Sequence, residues 1–228
     1  MKTQIAASLM CMDLMQIREQ LDFFEKRIHF HHVDIMDGHF VPNLTLSPYF
    51  IGQIKPYTQV PIDAHLMVTT PGNLLASLAE AGTDYISLHV ETLSGVGYRN
   101  IKTIKDLGKK VGLVLNPETT LESVRHYLNL ADKVTLMTVD PGFAAQPFIP
   151  EMLDKIRELA DWKRKHGWSL AIEVDGSCNR RTYVDLLRAG AEVLVMGSTG
   201  LFGLNKDLGK AWDAMCDDLT RAEGEAGL

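Results

Sequence analysis

The feature that most restricts the fold is an alternation of two hydrophobic periods along the 228-residue chain. Short apolar runs of strand type occur at 5–9, 30–35, 62–68, 85–88, 111–115, 134–139, 170–174 and 193–196. The stretches between them, at 12–26, 73–81, 98–107, 121–130, 150–166, 182–189 and 208–219, carry apolar residues at helical spacing. Such alternation predicts an α/β protein with a parallel sheet, and eight units predict a single (β/α)8 TIM barrel over residues 1–228. A doubly wound open sheet is the alternative. Gly82 and Gly190 each follow a helix-like stretch and precede a strand-like run, so they read as helix-ending residues. Residues 40–57, rich in Pro and Asn with room for only a short helix, form the one long interruption, placed to close over a site.

A hydrophobic content of 46% supplies a sizeable core, while the formal net charge of −6 argues against nucleic acid or an anionic membrane as partner. Any phosphate must therefore be held by local groups. The three cysteines, Cys11, Cys178 and Cys216, are odd in number and lack CxxC spacing, which predicts reduced thiols and a cytoplasmic setting. The apolar stretch 5–12 follows Lys2 but stops at Asp13 without a convincing cleavage site, so it reads as a strand rather than a secretory signal. No apolar run approaches the ~20 residues of a membrane span.

In a barrel of this kind chemistry gathers where the strands end. Ser8, His32, Asp34, His65, Met67, Met137, Asp175 and Gly197 all fall at or just beyond the C-terminal ends of the strand-like runs. His32-Val33-Asp34 uses the strand period of two, so both side chains leave the same face, and Asp63-Ala64-His65-Leu66-Met67 repeats the arrangement. A single strand-end His or Asp is usually a satisfied polar group. Two imidazoles and two carboxylates in matched spacing, His32, Asp34, His65 and Asp175, instead suit one divalent ion per subunit: Zn, Mn, Co or Fe(II). His29 and His31 carry the opposite parity from His32 and are assigned to packing. Met36 and Met67 share the parity of the ligands and Met137 ends the sixth run, so these three thioethers are expected either to cap the site or to fill core gaps.

The stretches His32-Val33-Asp34-Ile35-Met36-Asp37-Gly38-His39-Phe40-Val41-Pro42-Asn43, Asp63-Ala64-His65-Leu66-Met67-Val68, Asp140-Pro141-Gly142-Phe143-Ala144-Ala145-Gln146 and Glu173-Val174-Asp175-Gly176-Ser177 resemble the ribulose-phosphate 3-epimerase family. Ser8-Leu9 and Met196-Gly197-Ser198-Thr199-Gly200 fit the same order, so the resemblance covers essentially the whole chain. Ser8-Leu9-Met10-Cys11-Met12-Asp13, Asp37-Gly38-His39-Phe40 and Asp175-Gly176-Ser177-Cys178-Asn179 are similar to the D-allulose-6-phosphate 3-epimerase branch in particular. One residue departs: Ala145 stands where the family's Pro-Gly-Phe-x-Gly-Gln loop has Gly, and a positive φ there would strain it.

The resemblance implies a metal-dependent isomerase interconverting D-allulose 6-phosphate and D-fructose 6-phosphate. D-Ribulose 5-phosphate and D-xylulose 5-phosphate are the alternative pair. It also implies assembly into a homo-oligomer. Elementary chemistry agrees: inverting a carbon beside a ketone needs one base on each face, and Asp34 and Asp175 are the expected pair. Ser8 and His65 are expected to contact the substrate, and the methionine cap to shield the reacting carbons. Gly142, Phe143, Ala144 and Ala145 after the sixth run, Gly176 and Ser177 after the seventh, and Gly197, Ser198 and Thr199 after the eighth lie where barrels bind phosphate through backbone N–H groups. His89 and Glu91 are expected at most to orient neighbours.

Two other classes compete. A metal-free barrel decarboxylase would place Asp-x-Lys-x-x-Asp on residues 63–68, but this chain has His65 for the Lys and Val68 for the second Asp. A non-catalytic phosphosugar-binding barrel stays open, because a fold alone does not prove activity.

Overall fold

The apolar runs form eight strands: β1 Gln4–Ser8, β2 Phe30–Met36, β3 Ile62–Met67, β4 Tyr85–His89, β5 Lys110–Leu115, β6 Lys133–Met137, β7 Ala171–Asp175 and β8 Val193–Met196. In the computed structural model, which describes residues 2–228, they pair in parallel and in chain order, and β8 returns to β1. Among the described residues seven α-helices pack outside: α1 Ile17–Phe24, α2 Pro48–Ile54, α3 Leu75–Glu80, α4 Gly97–Asp106, α5 Met152–His166, α6 Tyr183–Ala189 and α7 Leu208–Ala226. The architecture is a single (β/α)8 TIM barrel.

The helical reading of 121–130 is corrected. That connection, between β5 and β6, consists of two 3₁₀ turns, Leu121–Val124 and Leu128–Leu130. Leu121, Val124 and Leu128 are all buried, so successive tight turns satisfy the same apolar spacing. Ser123, Val124, His126, Tyr127 and Asn129 are weak helix formers and do not carry the chain into a continuous helix. The stretch 12–26 is likewise shorter as a helix: a 3₁₀ turn, Leu14–Gln16, precedes α1, with Asp13 accepting from Met15 N at 3.0 Å. At the other end α7 runs past 219, and Glu223 Oε1 accepts from Lys2 N and Thr3 N at 2.7 and 2.8 Å, pinning the chain start to the last helix. Gly82 and Gly190 end α3 and α6 with φ of +92° and +109°, as the sequence requires.

Strand parity divides the core. Ile5, Ala7, Val33, Ile35, Ala64, Leu66, Ile86 and Leu88 point outward and pack with helix residues such as Leu21, Phe24, Leu78, Ile101, Ile104, Ile156 and Leu159. Full burial of each Val, Leu, Ile or Phe side chain here contributes roughly 1.5–3 kcal/mol. The other parity fills the barrel. Its lowest layer is apolar, with Ala6, Phe30, Val193 and Val195 packed against Tyr85 and Ala171. Above it lies a charged layer, and above that the site. Among the described residues no helix is long and apolar enough to cross a membrane, and all three cysteines are free.

Candidate active site

The parallel register sets the site. Along β2 and β3 it pairs His32 with Asp63, Asp34 with His65 and Met36 with Met67. Along β6 and β7 it pairs Met137 with Asp175. Residues spaced by two on neighbouring strands therefore form levels inside the barrel, and the four expected ligands meet at one of them. His32 Nε2 lies 3.0 Å from His65 Nδ1, 3.3 Å from Asp34 Oδ1 and 3.5 Å from Asp175 Oδ2. His65 Nδ1 lies 3.3 Å from Asp34 Oδ1 and 3.5 Å from Asp175 Oδ2. One ligand atom from each of the four residues lies within 4.8 Å of the others. His32, His65 and Asp34 are buried; the Asp175 side chain is 18% exposed and opens toward solvent.

Charge fits this geometry to a divalent cation. Burial favours a neutral His32 ring, yet Asp34, Asp175 and Asp63 around it outweigh burial and push its pKa up. Burial would likewise raise Asp34, but His32 and His65 hold its carboxyl below the usual range. With Asp34, Asp63 and Asp175 around one buried imidazole the carboxylates outnumber the fixed cations, and the N and O donors are the ligand types of Zn, Mn, Co and Fe(II). A second acidic group, His32 with Asp63 and Glu173, already holds a cation of the protein's own. Lys133 Nζ donates to Asp63 Oδ2 and, at 2.7 Å, to Glu173 Oε1. Ser87 donates to Asp63 at 2.6 Å and Thr135 to Glu173 at 2.8 Å. Burial lowers the Lys133 pKa and raises that of Asp63, but their mutual attraction wins, leaving Lys133 up and Asp63 down.

This charged layer was missed in the sequence. Lys133 lies just before the sixth apolar run, and its parity with Thr135 and Met137 points it inward. Asp63 and Glu173 share parity with His65 and Asp175 in the same way. Also unassigned were His89 and Glu91. His65 Nε2 meets His89 Nε2 at 2.8 Å, His89 Nδ1 meets Glu91 Oε2 at 3.2 Å, and Glu91 Oε1 accepts from Asn116 N at 2.9 Å and from the Thr119 hydroxyl. Burial lowers the His89 pKa to about 4, so the ring stays neutral. His31 turns outward as expected, 3.1 Å from Thr58 Oγ1, and burial lowers its pKa to about 4. His29 Nδ1 accepts from Ile5 N.

Over the two carboxylates of this group lies a pocket open to solvent. Ser8, Asp34 and Asp175 line its floor, and Met36, Met67 and Met137 its inner wall. The Ser8 hydroxyl is committed to the site, donating to Asp34 Oδ2 at 2.8 Å. Gly142, Phe143, Ala144 and Ala145 line the side beyond β6, Gly176 and Ser177 that beyond β7, and Gly197, Ser198 and Thr199 that beyond β8. Ala145 does adopt a positive φ, +61°, and Ser177 one of +49°. The 40–57 segment reaches the site from above: Thr45 Oγ1 donates to Asp34 O at 2.5 Å and Asn43 Nδ2 to Gly142 O at 2.8 Å. Burial pushes up the pKa of Cys11 and Cys178, so neither of these pocket-lining thiols is a ready nucleophile at neutral pH.

A closed parallel barrel with paired carboxylates and imidazoles at the C-terminal mouth defines a TIM-barrel enzyme with a candidate metal centre. Comparison with known proteins narrows the class. The Ribulose-phosphate 3 epimerase family matches residues 4–202. The chain is 40% identical over 199 residues to the ribulose-phosphate 3-epimerase of Bacillus subtilis (strain 168), covering 86% of this chain and 90% of that protein. It is 41% identical over 172 residues to the ribulose-phosphate 3-epimerase of Aquifex aeolicus (strain VF5), covering 75% and 77%. The chain belongs to the ribulose-phosphate 3-epimerase family and is an isomerase of the epimerase type. Among solved structures, 3-hexulose-6-phosphate synthase from Salmonella typhimurium superposes with a TM-score of 0.67 at 17% identity, covering 96% of this chain and 99% of that one. At that identity the likeness shows the fold alone.

Proposed function

We propose that the chain is a divalent-metal-dependent 3-epimerase of a ketose phosphate, with Asp34 and Asp175 exchanging the C3 proton on opposite faces. The observation carrying this reading is the meeting of two carboxylates from β2 and β7 with two imidazoles beneath one pocket. Asp34 is oriented by Ser8, and Asp175 presents its exposed edge to the pocket. In each direction one carboxylate removes the proton and the other, as the acid, returns one; the roles reverse for the reverse reaction. His32, Asp34, His65 and Asp175 would hold the ion, which when bound supplies positive charge for the oxygens of the developing enediolate. Met36, Met67 and Met137 exclude water from that volume, and backbone N–H groups of 142–145, 176–177 and 197–199 hold the phosphate.

The named activity of the relatives supports D-ribulose 5-phosphate, giving D-xylulose 5-phosphate, as the substrate pair. A second reading, D-allulose 6-phosphate giving D-fructose 6-phosphate, is favoured by one observation. Cys11, Ser177 and Cys178, where the sequence resembles the hexose-phosphate branch, line the pocket beside Ser198 and Thr199. Asn179 ties two of these loops, donating to Ser177 O at 2.8 Å and Thr199 Oγ1 at 3.3 Å. The substrates differ by one hydroxylated carbon, which in a forgiving pocket separates kcat/KM by roughly 10–200-fold. Measuring kcat/KM for both with the same metal-loaded enzyme decides between them. Inversion of neither ketose phosphate would refute the proposed function.

A further inference from the structure

We infer that His89 and Glu91 are positioning residues that fix the tautomer of His65, so that its Nδ1 lone pair faces the metal site. This rests on the metal-site reading of His32, Asp34, His65 and Asp175. The His65 and His89 rings lie within 18° of parallel with centroids 4.9 Å apart, yet their Nε2 atoms are 2.8 Å apart. That separation is shorter than any face-to-face contact allows, so the rings meet edge to edge with nitrogen pointing at nitrogen. One proton must lie between them. A ligand at His65 Nδ1 puts the His65 proton on Nε2, where it donates to His89 Nε2. His89 must then carry its own proton on Nδ1, and the acceptor waiting there is Glu91 Oε2 at 3.2 Å. Carboxylates orienting a metal-binding imidazole are common outer partners; here the orientation passes through a second, fully buried imidazole. The relay is enclosed: the Phe40 ring lies 4.6 Å from that of His89.

The far end of the relay supplies the test. Glu91 Oε1 accepts from Asn116 N, a backbone N–H that can only donate. In Glu91→Gln the amide oxygen must take that position, which turns the amide NH2 toward His89 Nδ1. His89 then accepts at Nδ1, carries its proton on Nε2 and donates it to His65. His65 is left with its proton on Nδ1, in the metal site. The near-isosteric variant therefore does more harm than truncation: Glu91→Ala imposes no tautomer, whereas Glu91→Gln imposes the wrong one.

The experiment is calorimetric titration of metal-free protein with Zn²⁺, with melting temperatures recorded to confirm folding. Glu91→Gln is expected to weaken Zn²⁺ binding about 10–100-fold, the range for lost outer partners, and Glu91→Ala to weaken it less. At saturating metal KM should be unchanged. Affinity of Glu91→Gln equal to the parent's, or a larger loss in Glu91→Ala, overturns the relay. A parent that takes up no Zn²⁺ overturns the metal-site reading instead. Should Glu91→Gln fail to fold, long-range ¹⁵N–¹H correlation spectra of the Zn²⁺-loaded parent decide: His89 protonated on Nδ1 alone is expected, and protonation on Nε2 refutes the inference.

Discussion

Replacing Lys133 by Met tests the charged layer beneath the site. The Lys133 side chain is 1% exposed and those of Asp63 and Glu173 are fully buried, so the substitution leaves two buried carboxylates without the ammonium they share. Their remaining partners are the Ser87 and Thr135 hydroxyls and the nearby His32, whose Nδ1 is 3.2 Å from Asp63 Oδ2. Removing one partner of a buried ion pair costs about 3–5 kcal/mol. For a chain of this length each kcal/mol moves Tm by roughly 2–4 °C, so the expected loss is about 6–20 °C.

The sign of the pH dependence identifies the cause. In the parent the raised Lys133 pKa contributes stability that is full below the ordinary lysine value and is lost only as pH rises through the raised one. The lowered Asp63 pKa contributes stability that is full above the ordinary carboxylate value and is lost as pH falls through the lowered one. Between about pH 5 and 9 the cluster is therefore pH-neutral in the parent. In the variant the carboxylates stay buried but lose the ammonium that holds the Asp63 carboxyl down, so that carboxyl moves back up and protonation relieves the penalty. The Tm gap between parent and variant should narrow from pH 8 to pH 5, read by scanning calorimetry on metal-free proteins. Adding Asp63→Asn and Glu173→Gln to Lys133→Met should recover most of the loss at both pH values. A gap below about 2 °C, less than 1 kcal/mol, or one that does not change with pH, would refute a compensated ion cluster.

Two further tests address the pocket. Asp34→Asn and Asp175→Asn should each lower kcat by about 10²–10⁴-fold, while either single variant still admits deuterium at C3 from heavy water through the remaining base; near-parental turnover in both would remove the two-base assignment. Ala145→Gly should stabilise the protein, because the left-handed backbone costs an alanine about 1–2 kcal/mol while the added glycine freedom of the unfolded chain returns about 0.4–1. The net of about 0.5–1 kcal/mol corresponds to roughly 1–4 °C in Tm, and an unchanged or lower Tm would show that the loop holds no strain at that residue.

What was legible in the sequence was whatever one strand decides alone. Alternation within 30–36 places His32, Asp34 and Met36 on one face and His31 on the other, and the barrel keeps that parity without exception along β2. Strand ends were legible too where turn residues follow, Gly176-Ser177 after Asp175 and Ser198-Thr199-Gly200 after Gly197. The outer-helix reading failed at 121–130 because apolar spacing reports which residues face the core, and a pair of 3₁₀ turns presents Leu121, Val124 and Leu128 as well as an α-helix does.

The residues supporting the site escaped for a different reason. Lys133, Asp63 and Glu173 become an ion-paired cluster only when β3, β6 and β7 close around one axis, and no spacing within the chain records that Lys133 Nζ reaches across to Asp63. The relay depends on the same closure: His89 is an ordinary strand-end imidazole until β3 brings His65 Nε2 to 2.8 Å and the β5 end brings Asn116 N to Glu91. A donor set can therefore be recognised by residue type and parity. The groups that decide which nitrogen binds and which charge is balanced are set by tertiary register, and substitutions there separate metal affinity and stability from the chemistry of Asp34 and Asp175.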